Sequence, residues 1–101
     1  MQFSVTYERI TEESAEHGEA DDMGYELESV TLRDAYEFLK WNGGHCEASD
    51  SMLGPYCWLT FYGEMDYRDG SHTNYGLHFP RNLTASTRRR IARLFRCYGV
   101  K

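Results

Sequence analysis

Phe3, Val5 and Tyr7 alternate with Ser4, Thr6 and Glu8 near the start of the chain, a two-residue period that turns every second side chain to one face of a strand. The alternation predicts a strand over residues 2–10. "YELESV" (25–30) predicts a short second strand with Tyr25 and Leu27 sharing a face. The period then lengthens. Thr31 stands directly before "LRDAYEFLKWNGG", where Leu32, Ala35, Tyr36 and Leu39 recur at i, i+3, i+4 and i+7. This is the apolar stripe of a helix, with Thr31 as N-cap, Asp34 three residues on as a weak capping-box partner, and Gly43-Gly44 as the stop. Phe38 and Trp41 fall off that stripe. "HCEASDSMLGP" keeps neither period and reads as an irregular connection punctuated by Gly54-Pro55.

"YCWLTFYGEMDY" is the most strand-like run, and "SHTNYGLHF" alternates again with Tyr75, Leu77 and Phe79 on one face. Asp69-Gly70 between them signals a hairpin, and Pro80 closes the second strand. Thr84 or Ser86 can cap a last helix running to about Tyr98, with Gly99 at its left-handed exit. The elements follow in the order β-β-α-β-β-α. Short sequential strands favour antiparallel pairing, and two helices with one apolar stripe each favour packing on one face of the sheet. The expected fold is therefore α+β, a single domain over 1–101 with a small antiparallel sheet of about four strands and an acidic loop at about 11–24. Thr11 is a candidate cap for one helical turn inside that loop, and Gly18 its interruption.

Length bounds the core. A chain of 101 residues buries roughly two thirds of the surface that its unfolded form exposes. Eight Tyr, five Phe and two Trp make aromatic rings a large share of what can be buried. Trp58, inside the strongest strand, is expected in the core. No run of eighteen apolar residues occurs and the N-terminus lacks the pattern of a secretory signal, so the reading is a cytoplasmic protein without a membrane partner. Three cysteines, Cys46, Cys57 and Cys97, without CxxC spacing, fit free thiols in a reducing compartment.

Charge changes the picture most. All 16 acids lie within residues 1–69 beside four basic residues, a balance of −12, whereas residues 70–101 carry seven basic residues and no acid, a balance of +7. Residues 12–28 hold eight of the acids, Glu12, Glu13, Glu16, Glu19, Asp21, Asp22, Glu26 and Glu28, and no Lys or Arg. Such a segment is a solubilising loop or a surface for a basic partner; calcium is a third option, but the spacing does not match an EF-hand loop. Near the C-terminus "ASTRRRIARLFR" places Ile91, Leu94, Phe95 and Tyr98 on one helical arc and Arg89, Arg93 and Arg96 on the opposite one, with Arg88 and Arg90 flanking the stripe. That row is either a solvated face or a docking surface for phosphate or carboxylate.

Catalytic patterns are weak. Glu64, Asp66, His72 and His78 gather around the predicted hairpin, where carboxylates and an imidazole could serve a metal-dependent hydrolase or nuclease. No nucleophile elbow, glycine-rich phosphate loop or HExxH accompanies them. His45, Cys46, Cys57, His72, His78 and Cys97 are scattered without the paired spacing of a zinc site, and no cofactor is implied.

"TYERITEESAEHGEADDMGYE", "TLRDAYEFL" and "YGEMDYRDGSHTNYGLHFP" with the later "STRRRIARLF" together resemble small proteins that recur in phage and prophage genomes. The resemblance covers most of the chain and brings no catalytic residues with it. It implies an accessory protein of the host cytoplasm, similar in general character to phage-encoded inhibitors of host defence such as anti-CRISPR proteins, many of which act by binding. The leading expectation is a non-enzymatic protein that uses its acidic segment against a basic protein partner and blocks a host nucleic-acid-handling machine. The rival is direct nucleic-acid binding or regulation through Arg89, Arg93 and Arg96, and the third reading is the hydrolase. A homo-oligomer is a further expectation for a small aromatic-rich domain.

Overall fold

The computed structural model describes residues 2–48, 58–63, 68 and 70–97. Five strands, β1 (Phe3–Ile10), β2 (Asp22–Val30), β3 (His45–Ala48), β4 (Trp58–Tyr62) and β5 (His72–His78), form one antiparallel sheet in the order β2-β1-β5-β4-β3. Three helices, α1 (Glu12–His17), α2 (Leu32–Asn42) and α3 (Ala85–Leu94), complete the α+β fold. One strand more than expected is present because "HCEA" pairs with β4, His45 opposite Tyr62 and Ala48 opposite Leu59. Four residues are too few to display a period, so this edge strand is recognisable only by its partner.

Register explains the core. Ala48, Leu59, Leu77, Val5 and Leu27 stand opposite one another across all five strands, an apolar row on the face that α2 and α3 cover. Phe3, Val5, Leu59, Phe61 and Leu77 are buried there against Ala35 and Leu39 of α2 and Ile91 and Ala92 of α3. Each fully buried aliphatic side chain contributes about 2 kcal/mol. The T-shaped ring pairs Phe61–Phe95 (5.1 Å) and Phe38–Tyr75 (5.2 Å) fasten α3 to β4 and α2 to β5. Phe38 therefore packs on the core from outside the predicted stripe, while Trp41 is 82% exposed. The side chain of Trp58 lies outside what the structure describes.

Tyr25 and Leu27 do not share a face. Thr6 pairs with Tyr25 but its neighbour Val5 pairs with Leu27, so Glu26 is the extra residue of a bulge that reverses the facing of the strand. A second irregularity lies between Leu27 and Val30, where Ser29 takes φ 55°. The two together bring both Leu27 and Val30 against the core. Alternation alone carries no sign of this.

The 11–24 segment is more ordered than the predicted loop. Thr11 Oγ1 accepts from the Ser14 amide (3.1 Å), and Ser14 Oγ accepts from the Thr11 amide (2.7 Å), a reciprocal capping box. Gly18 closes α1 with φ 71°, a left-handed exit that glycine adopts without steric cost. β2 starts at Asp22. In α2, by contrast, Thr31 Oγ1 accepts from the Asp34 amide (3.2 Å) without a reciprocal bond, so a simple N-cap replaces the box. Gly43 ends α2 in extended backbone, and a Cβ on Gly44 would collide with the Tyr62 carbonyl oxygen.

α3 stops a turn earlier than predicted. Thr84 caps it, and after Leu94 the Cys97 amide donates to Ala92 O (3.0 Å) and the Arg96 amide to Arg93 O (3.0 Å), with Arg96 at φ 55°. This is a Schellman closure with arginine where glycine is usual. Tyr98 and Gly99 lie outside the described residues. Helix α3 is also rotated from the predicted arc: Arg88, Ile91 and Ala92 are buried, while Leu94 is 51% exposed. Ala92 lets the helix approach the sheet closely, and that turns Leu94 outward.

The expectation of free thiols is corrected as well. Cys46 of β3 and Cys97 form a disulfide across 51 residues of sequence, Cα–Cα 4.6 Å, and both are buried. Cys57 lies outside the described residues. Thiol count therefore gives no ground for a reducing compartment. Among the described residues no helix is long and apolar enough to cross a membrane.

Closing a loop of this size lowers the entropy of the unfolded chain and stabilises the fold by about 4 kcal/mol. Thiol titration of the unreduced chain in denaturant should find one reactive cysteine of the three, and Cys97→Ser should lower the unfolding free energy by roughly 2–4 kcal/mol. Three reactive thiols would contradict the pairing.

Candidate functional site

The acidic residues converge at one end of the sheet. α1 leaves β1 at Ile10, and the Asp21 amide returns to bond Arg9 O (2.8 Å), so the α1 turn projects past the β1–β2 hairpin. Glu12, Glu13, Glu16, Glu19, Asp21 and Asp22 are all exposed. Glu12, Glu13, Glu16 and Asp21 line one shallow concavity. Glu12 and Glu13 in the first turn meet the positive end of the helix, which favours order in a segment of like charge. Arg9 faces Asp22 across the ladder without forming an ion pair with it.

Two tyrosines register the field of these acids. Tyr7 donates its hydroxyl to Asp22 Oδ2 (3.2 Å), and the Asp22 charge, with smaller help from burial and Glu26, raises its pKa above 10.0. Tyr75 is raised chiefly by burial and then by Glu26.

The arginine row is only partly assembled. Arg89 and Arg93 lie on the outward side of α3, Arg89 half-buried and Arg93 exposed, but Arg96 leaves the helix in its left-handed turn. Arg88, expected to flank the stripe, is buried, and both Arg88 and Arg93 are engaged within the chain. Two ion pairs form among the described residues, Arg33–Glu37 (3.5 Å) and His45–Glu47 (3.2 Å). Neither joins α1 to α3.

Of the suggested catalytic cluster, the two histidines stand apart. His72 and His78 end opposite ends of β5, paired with Ile10 and Ser4, about 20 Å apart along the strand. Glu64 and Asp66 lie outside the described residues. Among the described residues no group of three or more His, Cys, Asp or Glu is placed to hold a metal ion. Cys46 and Cys97 are committed to each other.

The face of the sheet opposite α2 and α3 was not singled out by sequence. It carries Tyr25, Thr6, Gly76, Thr60 and Glu47 in one row and Met23, Glu8 and Asn74 in the next. A shallow groove of about 410 Å³ runs over it, with Met23 and Tyr25 exposed at its β2 side. Gly76 creates the dip: a Cβ there would stand 2.9 Å from Thr6 Oγ1. Thr6 Oγ1 instead reaches His78 Nε2 at 2.8 Å. The signal that could have exposed this face was the polar half of each alternating strand, once pairing was known.

No family model, curated protein or solved structure matches the chain.

Burial holds the His78 imidazole below its ordinary 6.5. A histidine with a depressed folded pKa favours the native state above the unfolded value, and that contribution is lost as pH falls below 6.5. Stability should therefore decline between pH 7.5 and 5.5, less steeply in His78→Gln. An NMR titration that placed His78 at or above 6.5 would contradict the burial account.

Proposed function

We propose that this chain acts by binding, presenting the acidic surface of α1 and the start of β2 to a basic protein surface, as a phage-type accessory protein that blocks a nucleic-acid-handling machine. The observation that carries the reading is the two-ended capping of α1. Thr11, Ser14 and Gly18 hold Glu12, Glu13 and Glu16 in one exposed group without an ion pair to the arginines of α3. Fixed negative charge steers toward positive surfaces, including those built to receive phosphates. The helix pre-pays the ordering that a mobile loop would pay on binding.

The arginine side supports nucleic-acid binding less well, because Arg96 has left the row and Arg93 is engaged within the chain. Enzymatic readings lack a gathered set of groups among the described residues.

Capture from host lysate with the tagged chain tests the reading. Raising salt from 0.1 M to 1 M shortens the screening length from about 10 Å to about 3 Å and should release the partner. Replacing Glu12, Glu13, Glu16 and Glu19 together by Gln should weaken its binding by about tenfold or more. A partner retained equally under both changes would refute the electrostatic basis. A nucleic-acid complex in a gel shift, lost when Arg89, Arg93 and Arg96 are neutralised, would transfer the function to the other end of the molecule.

A further inference from the structure

The groove between α2 and α3 is chemically unlike the rest of the surface. Its floor is apolar, made by Phe3 of β1, Leu32 of α2, Leu83 before α3, and Ile91 and Leu94 of α3. Its volume is about 600 Å³, inside the range of roughly 300–1,000 Å³ typical of small-molecule sites, which often lie between helices. Phe3, Leu83 and Ile91 are almost fully buried beneath it, yet Leu94, one turn beyond Ile91 on the same side of α3, is 51% exposed. The chain leaves this leucine uncovered at the mouth of the groove.

The rim is cationic. Among the described residues Arg33 of α2 and Arg90 of α3 are its two ionisable residues and no carboxylate lines it, in a chain of net charge −5. Glu37 meets Arg33 at Nε, 3.5 Å away, with both side chains mostly exposed, an arrangement that solvent weakens. The remaining guanidinium donors can take an oxyanion in their planar fork. Thr31 and Thr87 add hydroxyls at the same rim. Thr31 Oγ1 accepts the Asp34 amide, which leaves its own hydrogen to donate.

We propose that this groove binds an amphiphilic carboxylate, a small molecule whose aliphatic body lies along Leu32, Leu83, Ile91 and Leu94 and whose carboxylate meets Arg33 and Arg90. Charge complementarity chooses the head group, and the apolar floor chooses the body. The site is independent of the acidic surface on α1 and of any partner held there.

Decanoate, 1-decanol and decyltrimethylammonium, each below its aggregation concentration, discriminate the features when titrated into the labelled full chain and followed by NMR. Decanoate should shift Leu32, Leu83, Ile91 and Leu94 saturably, with the alcohol weaker and the ammonium ion weakest. Replacing Arg33 and Arg90 together by Gln should weaken decanoate about tenfold, the scale of lost hydrogen bonds to a charged group, and leave decanol unchanged. Leu94→Glu places a carboxylate on the floor of the groove and should abolish decanoate binding. Because Arg33, Arg90 and Leu94 are exposed, the native spectrum should survive all these substitutions. Equal binding of the three amphiphiles, shifts confined to the open sheet face, or groove signals that move with protein concentration alone would each overturn the assignment. The last would show that a second copy covers the groove.

Discussion

Opposite charge held apart by a rigid sheet is the constraint on which the rest of this molecule depends. α1 hangs from the end of β1, and the chain just past α3 is tied at Cys97 to β3, three strands away in the order β1-β5-β4-β3, about 14 Å at the usual strand spacing. Unlike charges on a floppy chain of this composition would collapse onto each other. Here the acids of α1 and the arginines of α3 are fastened to different elements, and no ion pair among the described residues joins them. What remains is a molecule with a negative end and a more basic helical layer.

The sheet holds them apart as a common floor, one face of which α2 and α3 cover. Aliphatic residues in register across the strands give α2 and α3 a continuous floor, and aromatic pairs such as Tyr36–Phe95 and Phe61–Phe95 lock the layer together. Cys97 then fixes the end of α3 to the edge strand. The same packing sets the rotation of α3: with Ala92 against the sheet, Arg88 goes in and Leu94 comes out. The inter-helix groove follows from that rotation, whereas Arg96 leaves the arginine row because the left-handed closure ends α3 before it.

Much of the fold was legible where a period runs long enough to be read. The alternation of Phe3, Val5 and Tyr7, the stripe of Leu32, Ala35 and Leu39 behind Thr31, and the paired strands around Asp69-Gly70 lead to β1, α2 and the β4–β5 pairing. Features decided by contacts distant in sequence were not legible. The bulge at Glu26 depends on how β2 meets β1, β3 depends on β4, and the Cys46–Cys97 bond joins residues 51 apart. A helical wheel also cannot tell which of two adjacent arcs faces the core when one contains Arg88 and the other Leu94. Of the candidate sites, the acidic residues could be read directly because their composition alone sets the charge. Their order could not, because the Thr11–Ser14 box uses serine where glutamate is the usual signature.

The most direct test of charge separation is the urea unfolding free energy of the chain as sodium chloride rises from 0.02 M to 0.5 M at neutral pH. If the acids stand as like charges without arginine partners, screening relieves their repulsion and stability should hold or rise. A clear fall in stability over the same range would show that internal pairing of acids and arginines holds the fold together, and would contradict the account.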